Sequence, residues 1–309
     1  MKNIVSIGEV LMDVYSENNT IKSEVGGASF NVACSIGALK QNNSYFMGSL
    51  GNDEFVSPIK DFVKKFNVKE DFIQVSDKPT TIAKVTLDEN KERFFQFIRN
   101  SDAEYSLSKE SNEKLSKIDF IHFGSATGFL EGNLKESYNE LFEFAIKNNI
   151  KFSFDPNFRD KLWVTDEEIK NFKNHCQKFM DKASLIKFSE DELLLLTEIE
   201  NQEEAVRTIM QRNPNALVCI TRGCEDTIFG WKNQINYVPT ILAEHLVDTT
   251  GAGDAFISNL ISEYVSIDVD ANFSTEEITK IIKKSNMFAN QTVQYLGALS
   301  FLEHLIKKN

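Results

Sequence analysis

Short apolar runs alternate with amphipathic stretches along most of the chain. The apolar runs include NIVSIGEV, DFIHFG, KFSFDPN, SLIKFS and ALVCITRG. They are apolar throughout rather than at every second position, which is typical of strands buried on both faces. The stretches between them, such as NLKESYNELFEFAIKNN and DEEIKNFKNHCQKFMDKA, have helical spacing of apolar residues. This β-then-α rhythm predicts an α/β fold with a parallel sheet covered by helices on both faces.

Two regions, residues 10–25 and 80–100, break this rhythm. They alternate apolar and polar positions and include turn signals such as DEN at residues 88–90, a pattern typical of antiparallel strands with one solvated face. The second region also carries a heavy apolar load for a small sheet, namely Phe94, Phe95, Phe97 and Ile98. We therefore predict a small antiparallel sheet apart from the main one. No repeat or linker is evident, so residues 1–309 are expected to form a single domain.

The acidic composition argues against some classes of partner. The chain has 309 residues, a net charge of −12 and 41% hydrophobic residues, which suits one large α/β domain. Nucleic acids and anionic membranes attract clustered Lys and Arg, so neither is an expected partner. No stretch reaches the length of a transmembrane helix, and IVSIGEVLMDV is interrupted by acids too early for a signal peptide. A cytoplasmic location is expected.

The cysteines and histidines do not predict a metal site. Cys34, Cys176, Cys219 and Cys224 form no CxxC pair, and the four histidines show no metal-ligand spacing. Buried, reduced thiols are therefore expected.

A glycine-rich stretch, LVDTTGAGDAF, leads into a segment with a helical apolar stripe, AFISNLISEYV. Gly251 and Gly253 therefore lie at a predicted helix N-terminus, although glycine is a poor helix former. A helix N-terminus offers unpaired backbone N–H groups and a positive partial charge, and glycine lets an anion approach them closely. The N–H groups of Gly251, Ala252 and Gly253 are therefore candidate phosphate ligands.

Asp254 follows these glycines in the first turn of the predicted helix, which Thr249 or Thr250 is expected to cap. The helix dipole and the nearby N–H groups are expected to keep its carboxylate ionised and able to accept a proton. A phosphate cradle beside a fixed carboxylate suits phosphoryl transfer to an alcohol. The chain has no Gly-Lys pair for a Walker A loop, and Phe256 replaces the third glycine of GxGxxG. From the turn alone, a plain capped helix with an acidic first turn remains an open alternative.

DTTGAGDAF resembles the C-terminal signature of the PfkB sugar kinases, the ribokinase-like family. GGASFNVA at residues 26–33 resembles the family's sugar-site signature, and GSLGNDEF at residues 48–55 resembles the strand and turn that follow it. These motifs occur in order over essentially the whole chain. The resemblance implies a ribokinase-like three-layer α/β/α fold with a small antiparallel β lid, and an ATP-dependent, Mg²⁺-using kinase. It also implies that Asp254 is the general base and that residues 251–253 form the anion hole.

Within the family, GEVLMD, GGASFNVA and DPNFRDKLW are most similar to fructokinases. The resemblance assigns sugar contacts to Asp13, Gly27, Asn31, Arg99, Asn157 and Arg159. Carboxylate and amide groups suit this task because they pair with neighbouring hydroxyls in fixed directions. Asn157 and Arg159 also follow a predicted strand, at the edge where ligands gather in open α/β sheets. Phe30 stands where the family has a small residue, so it is expected to narrow or reshape the sugar pocket.

The second half of the chain resembles the family's nucleotide and metal sites. KFSEDE resembles the N-x-x-E element, with Ser189 in place of asparagine and Glu192 retained to act on Mg²⁺ through water. TRGCED and FANQTVQYLGA are similar to the strand end and the helix that close around the nucleotide. The resemblance assigns nucleotide contacts to Ser189, Thr221, Gly223, Gly251, Gly253 and Asn290, with Gly297 as a further candidate. Asp248 and Thr250 fit the family's site for a monovalent cation such as K⁺.

The leading interpretation is an ATP-dependent kinase that acts on a primary hydroxyl of a small sugar, with fructose favoured by Asp13 and the GGA form of the sugar signature. DPNFRDKLW is also similar to kinases of 2-keto-3-deoxygluconate, a sugar acid whose carboxylate Arg159 would meet. A non-catalytic sugar-binding regulator on the same scaffold is a third hypothesis, although the base and the glycines are present. A dinucleotide-dependent oxidoreductase would lack its glycine fingerprint.

The resemblance also implies a function for the small sheet. In ribokinase-like enzymes this sheet is a lid, and in many of them it packs against the same sheet of the second subunit of a homodimer. We therefore expect a lid that closes over the sugar and excludes water. A homodimer formed through the outer face of the lid sheet is expected as well.

Overall fold

The structure, a computed structural model, describes residues 1–17, 20–87, 93–267 and 273–308. Within these residues the chain forms thirteen strands: β1 (Asn3–Ile7), β2 (Leu11–Glu17), β3 (Thr20–Gly26), β4 (Asn43–Leu50), β5 (Val68–Val75), β6 (Ile82–Leu87), β7 (Arg93–Ile98), β8 (Phe120–Phe123), β9 (Lys151–Phe154), β10 (Leu185–Ser189), β11 (Leu217–Thr221), β12 (Thr227–Trp231) and β13 (Gln234–Val238). The same residues form ten α-helices: α1 (Ala28–Leu39), α2 (Val56–Lys65), α3 (Lys109–Leu115), α4 (Asn133–Lys147), α5 (Asp166–Met180), α6 (Glu190–Thr197), α7 (Gln202–Arg212), α8 (Ala252–Ser266), α9 (Thr275–Thr292) and α10 (Ser300–Lys308). Two short 3₁₀ helices lie at Ser101–Glu104 and Asp160–Leu162.

Nine strands form the main sheet, in the order β13-β12-β11-β10-β9-β8-β1-β4-β5. The seven strands from β11 to β5 in this order pair in parallel, and β12 and β13 add an antiparallel edge. The predicted α/β fold with a mostly parallel central sheet is therefore confirmed. Among the described residues, no helix is both long enough and apolar enough to cross a bilayer.

Apolar clusters cover both faces of the main sheet and define the three layers. One cluster joins the sheet to α4, α5 and α7, and the other joins it to α1, α8 and α9. Strand β10 shows how the faces are divided. Ile186 and Phe188 belong to the first cluster, and Leu185 belongs to the second. This alternation is what a strand buried on both sides requires.

The small sheet contains the two regions that alternate in the sequence, in the order β3-β2-β6-β7. The pairs β2–β3 and β6–β7 are antiparallel, as predicted for the lid, but the central pair β2–β6 is parallel. Alternation predicts strands and hairpins, whereas it does not fix the direction in which two distant hairpins meet. The predicted turn at residues 88–90 and the side chains of Phe94 and Phe95 lie outside the described residues. Phe97 is half-buried and Ile98 is exposed.

The carboxyl ends of the parallel strands bring the polar motifs to one edge of the main sheet. Asp155 directly follows β9, Ser189 ends β10 and Thr221 ends β11. The loop after β1 contributes Glu9 to the same edge. Because parallel strands point the same way, residues far apart in the sequence meet there, which is where ligands bind in open α/β sheets.

Three of the four cysteines are buried, as expected, but Cys224 is exposed. It lies in the turn between β11 and β12, beyond the apolar part of the ALVCITRG run. All four are free thiols.

Candidate active site

The glycine-rich turn forms the start of α8. Gly251 is the N-cap residue, with a left-handed backbone (φ 77°), and a Cβ added there would lie 2.4 Å from the Cβ of Ala298. Glycine is therefore required both by conformation and by space. The amide of Ala252 is directed at the carbonyl of Thr249, at 3.2 Å. The amide of Gly253 lies in the first turn, where the helix itself supplies no acceptor.

The expected threonine cap of α8 is not formed. Within the described residues no side-chain cap bond is found at the N-cap of α8, and the hydroxyl of Thr250 instead donates to Asp248 Oδ1 at 2.7 Å. Thr249 and Thr250 precede a left-handed glycine, so their side chains do not occupy the position from which an N-cap residue reaches the helix. The first turn of α8 is therefore open to an external acceptor.

Asp254 lies in the first turn of α8 and contacts the sugar-site helix. Asn31 of α1 donates from Nδ2 to Asp254 Oδ2 at 2.9 Å. Burial raises the pKa of Asp254, although the bond from Asn31 and the charges of Arg159 and Lys187 act in the opposite direction. The expected effect of the helix N-terminus, which would keep the carboxylate ionised, therefore stays a prediction, because burial acts in the opposite direction. A raised pKa makes the carboxylate a better proton acceptor.

Within the described residues, the other polar atom of the Asn31 side chain, Oδ1, has no hydrogen-bond partner. The side chain of Asn31 is 6% exposed, so Oδ1 is a buried acceptor. Buried polar atoms are nearly always satisfied by protein, water or ligand. A donor such as a sugar hydroxyl, lying next to Asp254, fits this acceptor.

Gly27 allows α1 to begin against the end of β1. Its φ is 105°, and an added Cβ would lie 2.6 Å from the carbonyl oxygen of Glu9. Glu9, which is 1% exposed, accepts from the amide of Ala28 at 2.8 Å and also from the hydroxyl of Ser125. Glu9 thus fixes the N-terminus of α1. Sequence analysis gave Glu9 no role, because Ser125 lies 116 positions away.

Asp13 projects from β2 towards the same space. A Cβ added to Gly26 would lie 2.3 Å from Asp13 Oδ2, so that glycine leaves room for the carboxylate. Burial and the charge of Glu24 raise the pKa of Asp13 to about 6, and Arg159 opposes them. Arg159 is exposed, and its positive charge acts to lower the pKa of both Asp13 and Asp254, so it lies near enough to influence both carboxylates. Asp13, Asn31, Arg159 and Asp254 therefore surround one space.

Phe30 does not narrow that space as expected. It is fully buried in a cluster with α2 and α10, and its ring lies 5.1 Å from that of Phe46 in an edge-to-face arrangement. A helix separates the faces of adjacent residues, so Phe30 faces the core although Asn31 faces the site.

Arg99 and Asn157 are held by the protein itself. Arg99 Nε donates to Asp102 Oδ2 at 2.9 Å, and its guanidinium also bonds to the carbonyls of Glu131 and Thr127. The donors of Arg99 thus connect the end of β7 to the main body, and its contact with a sugar stays a prediction. Asn157 donates to the carbonyl of Gly124 at 2.9 Å, which orders the loop after β9.

Ser189 and Glu192 form a capping box at the start of α6. Glu192 Oε2 accepts from the amide of Ser189 at 2.7 Å, and the hydroxyl of Ser189 accepts from the amide of Glu192 at 3.3 Å. Glu192 Oε1 accepts from the amide of Phe158 at 2.9 Å. Both carboxylate oxygens therefore already bond to backbone amides, and the action of Glu192 on a metal through water stays a prediction.

Lys187 and Asp155 form a buried ion pair that sequence analysis missed. Lys187 Nζ lies 3.0 Å from Asp155 Oδ2, and the two side chains are 8% and 2% exposed. Burial raises the pKa of Asp155, and Lys187 opposes that shift. The signal in the sequence was a lysine inside the otherwise apolar run SLIKFS, which is rare unless the charge has a partner.

A cavity of about 550 Å³ lies between β11, α8 and α9. Its lining includes Thr221, Gly223, Ala252, Gly253 and Asn290. Most of the lining is apolar, including Ile241 and Ala289, as is usual for a site that takes a flat ring. The structure therefore gathers four predicted nucleotide contacts, Thr221, Gly223, Gly253 and Asn290, around one cavity at the open turn of α8. Ser189 is not among the lining residues.

Asp248 organises the loop that precedes α8. Its Oδ1 accepts from the amide of Thr250 at 3.0 Å, and its Oδ2 accepts from the amide of Gly297 at 2.9 Å. Burial acts to raise the pKa of Asp248, but these bonds outweigh it and hold the pKa below its ordinary value. In the described part of the chain, no group of three or more His, Cys, Asp or Glu side chains is arranged to hold a metal ion.

Comparisons with known proteins agree with the fold and show the family. Residues 1–305 match the pfkB family carbohydrate kinase profile. The chain is 29% identical over 310 residues to the probable fructokinase-3 of Arabidopsis thaliana, which covers 97% of this chain and 88% of that protein. It is similar in structure to the fructokinase of Xylella fastidiosa with bound ATP (TM-score 0.83, 24% identity, 99% of this chain and 98% of that chain). It is also similar to the fructokinase of Vibrio cholerae O395 bound to fructose, ADP and calcium ion (TM-score 0.79, 23% identity, 99% of this chain and 98% of that chain).

Proposed function

We propose that this chain, which belongs to the pfkB family of carbohydrate kinases, transfers the γ-phosphate of ATP to the primary hydroxyl of fructose. The supporting observation is the pair formed by Asn31 and Asp254. It places a proton acceptor and an unpartnered buried acceptor beside the open N-terminus of α8. The relatives with the name fructokinase support the choice of sugar.

In the proposed mechanism, ATP would supply the phosphoryl group, and Mg²⁺ held mainly by its phosphates would neutralise phosphate charge. Asn31 Oδ1 accepts a hydrogen bond from the sugar and orients it, while its Nδ2 holds the carboxylate of Asp254. Asp254 takes the proton of the primary hydroxyl as the sugar oxygen bonds to phosphorus and the bond from phosphorus to the ADP oxygen breaks. The amides at the start of α8 stabilise charge on the moving group.

A kinase of 2-keto-3-deoxygluconate is the alternative substrate assignment. The exposed guanidinium of Arg159 favours this alternative, because the carboxylate of the sugar acid could pair with it. Against it, the space already contains Asp13, with a pKa of about 6, and Glu24 adjacent to it. The carboxylate of a sugar acid would be repelled by these acidic groups, whereas a neutral ketose would not, so fructose fits better.

Two ions are part of the proposal. Magnesium would be held mainly by nucleotide phosphates, with Glu192 acting through water, because both its oxygens are occupied by amides. A monovalent cation such as K⁺ would lie at the loop of Asp248 and Thr250. The low pKa of Asp248 keeps a negative charge there for such an ion.

The small sheet is proposed to close over the sugar and to form a homodimer through its outer face. Asp13 and Glu24 project from its strands to the site, which couples sugar binding to the position of the sheet. Ile21 is 72% exposed and Ile98 is 37% exposed. Exposed apolar side chains on a small sheet are suited to an interface.

The test is a coupled assay of ADP release across ketoses, aldoses, nucleosides and sugar acids. The expected result is that fructose gives the highest kcat/KM and that 2-keto-3-deoxygluconate is a poor substrate. A higher kcat/KM for the sugar acid would replace fructose as the substrate. Sugar binding without ADP release on any compound would support the non-catalytic hypothesis.

A further inference from the structure

Glu9, in the loop after β1, is a buried acid that the proposed mechanism does not use. It is 1% exposed, and its two carboxylate oxygens accept from the amide of Ala28 at 2.8 Å and from the hydroxyl of Ser125. Burial raises the pKa of Glu9, and these two bonds act to lower it. A buried carboxyl group costs folding free energy unless it is well hydrogen-bonded, so its position calls for a reason.

The helix that Glu9 caps begins differently from three others. Helices α5, α6 and α9 begin with capping boxes, in which the bonding groups belong to the helix start itself. The N-cap of α1 is Gly27, which forms no side-chain cap, and Glu9 bonds to the amide of Ala28 from outside the helix. A local cap stabilises a helix wherever it lies, whereas an external cap also fixes the position of the helix relative to the sheet.

The first turn of α1 is bonded to the ends of two neighbouring strands. Ser29 donates from its hydroxyl to the carbonyl of Ile7 at 2.8 Å, and its own carbonyl accepts from the hydroxyl of Ser6 at 2.8 Å. Those two bonds reach β1. Glu9 adds the connection to Ser125, which follows β8, and β8 pairs with β1 in the main sheet. Two strand ends therefore hold the start of α1 in place.

Asn31 connects this helix start to the proposed base. It follows Ala28 by three residues, so both lie on the same side of the first turn, and the amide of Asn31 bonds to the carbonyl of Gly27 at 2.8 Å. Its side-chain Nδ2 donates to Asp254 Oδ2 at 2.9 Å. A hydrogen bond of that length does not survive a displacement of the helix by about 1 Å. The position of α1 therefore decides whether Asp254 is held.

We propose that Glu9 is a positioning residue for the general base: it holds the start of α1 against β1 and β8, so that Asn31 keeps the carboxylate of Asp254 in place. This inference rests on the proposed kinase function. Glu9 touches neither the sugar nor the nucleotide, and it takes no proton from either. A purely structural cap would stabilise the fold and leave the properties of Asp254 unchanged.

The first test measures the pKa of Asp254, whose carboxyl ¹³C resonance is assigned by comparison with Asp254→Asn. In a folded Glu9→Ala variant this pKa is expected to rise, because the bond from Asn31 that lowers it is weakened. Asn31→Ala should shift the pKa in the same direction, and adding Glu9→Ala to it should give no further shift. Other charges that act on Asp254 stay in place in these variants, namely those of Arg159, Lys187 and Glu192.

Turnover should show the same dependence on Asn31. Misplacement of a reacting group by about 1 Å can cost about 10²-fold, so kcat of Glu9→Ala should fall by about that factor. In the Asn31→Ala background the same substitution should lower kcat by less than about threefold, because the residue through which Glu9 acts is already absent. Glu9→Gln should keep kcat within about tenfold of wild type, since the glutamine oxygen can still accept from Ala28. The acidic limb of the kcat/KM profile should move to higher pH in Glu9→Ala.

Asn213→Ala is the matched control. Asn213 is 8% exposed, and its Nδ2 donates to the carbonyls of Met180 and Ala183, each at 2.9 Å. Its replacement removes two buried hydrogen bonds, as Glu9→Ala does. This control should lower the free energy of unfolding but leave both the pKa of Asp254 and kcat unchanged.

Ser125→Ala serves in place of Glu9→Ala if the latter does not fold, because it removes the hydroxyl that bonds to Glu9. The pKa of Asp254 should then rise by a smaller amount. If the wild-type protein phosphorylates no sugar, the proposed function fails, but the pKa titrations still decide the role of Glu9. An unchanged pKa of Asp254 in the folded variant, or effects of Glu9→Ala and Asn31→Ala on it that simply add, would overturn the proposal. A shift that disappears when Asn31 is already replaced would support it.

Discussion

Helices α6 and α8 begin at the same edge of the sheet, and each has an acid as its third residue. In α6 this residue is Glu192, which reaches back to the amide of Ser189 and closes a capping box. In α8 it is Asp254, which is one methylene shorter and turns to Asn31 on another helix. The N-cap of α8 is a glycine without a side-chain bond. One helix start is thus satisfied internally, and the other is left open.

This difference shows which helix N-terminus can bind an anion. Both have a positive dipole end, but the first-turn amides of α6 are already partly bonded to its own side chains. At α8 the same groups face a cavity, and Lys187 adds positive charge below them. Sequence motifs predicted that both helices begin at the nucleotide. Their caps distinguish them, because the start of α6 is closed by its own side chains and the start of α8 is free to bind a ligand.

The largest expected effect is the loss of kcat in the Asp254→Asn variant. Asparagine keeps the shape but cannot accept the proton, so kcat should fall by about 10²- to 10⁴-fold while sugar binding remains. Steady-state kinetics and calorimetric titration with the sugar would measure both quantities. The matched control is Glu277→Gln, at the third position of the capping box of α9, which should leave kcat unchanged. Turnover of Asp254→Asn within a few-fold of wild type would remove Asp254 as the base.

The next effect in size is expected for Gly253→Val. Its Cβ would lie 3.0 Å from Lys187 Nζ, so the larger side chain fills the space assigned to the phosphoryl group. We expect kcat to fall by at least about 10²-fold, as for loss of an anion-hole donor, with a smaller loss of stability. Asp191→Val changes the same second position in α6, where the side chain is exposed, and should not affect kcat. A folded and fully active Gly253→Val variant would show that the start of α8 binds the phosphoryl group no more than the start of α6 does.

The sequence predicted elements and local turns better than the contacts between distant segments. The parallel sheet, the strands of the lid and the start of α8 follow from apolar periodicity and from the glycines at 251 and 253. The parallel pairing of β2 with β6 and the bond from Arg99 to Asp102 depend on how separate segments meet. Local pattern contains no such information.

The charges of the site were the least predictable part. Lys187 stands in a strand that reads as apolar, and its partner Asp155 comes from the neighbouring strand end. The pKa of Asp254 depends on burial, which a helix-dipole argument does not include. These charged side chains become buried only when the three layers of the fold pack together. A lysine inside an apolar run was the one signal of it in the sequence.

A smaller effect concerns stability and its dependence on pH. Burial raises the pKa of Asp254, so the folded state binds this proton more tightly than the unfolded chain. The corresponding stability is fully present below the ordinary pKa of aspartate and is lost as the pH rises through the folded pKa. Each unit of raised pKa corresponds to about 1.4 kcal/mol. Relative to wild type, Asp254→Asn should therefore be more stable at alkaline pH, with an advantage that shrinks as the pH falls through the raised pKa of Asp254.

Denaturant unfolding of both proteins at several pH values measures this difference. Glu277 of α9 is a control of opposite sign, because bonds from Ser274 lower its pKa. Glu277→Gln should therefore lose stability relative to wild type at neutral pH, and the loss should shrink in acid. An Asp254→Asn variant that is less stable than wild type at every pH would contradict the idea that burial of the Asp254 carboxylate destabilises the start of α8.

The smallest expected effect is that of Ser189→Ala, which removes the N-cap hydroxyl of α6. Because that hydroxyl accepts from the amide of Glu192, its loss should lower the free energy of unfolding by about 1 kcal/mol. Ser274→Ala makes the same change in the capping box of α9 and should cost a similar amount. If α6 is a structural start, the KM for ATP should change by less than about twofold in both variants, since neither cap contacts the cavity. A much larger rise of that KM in Ser189→Ala alone would mean that Ser189 contacts the nucleotide, as the N-x-x-E resemblance implies, and that the start of α6 is functional as well as capped.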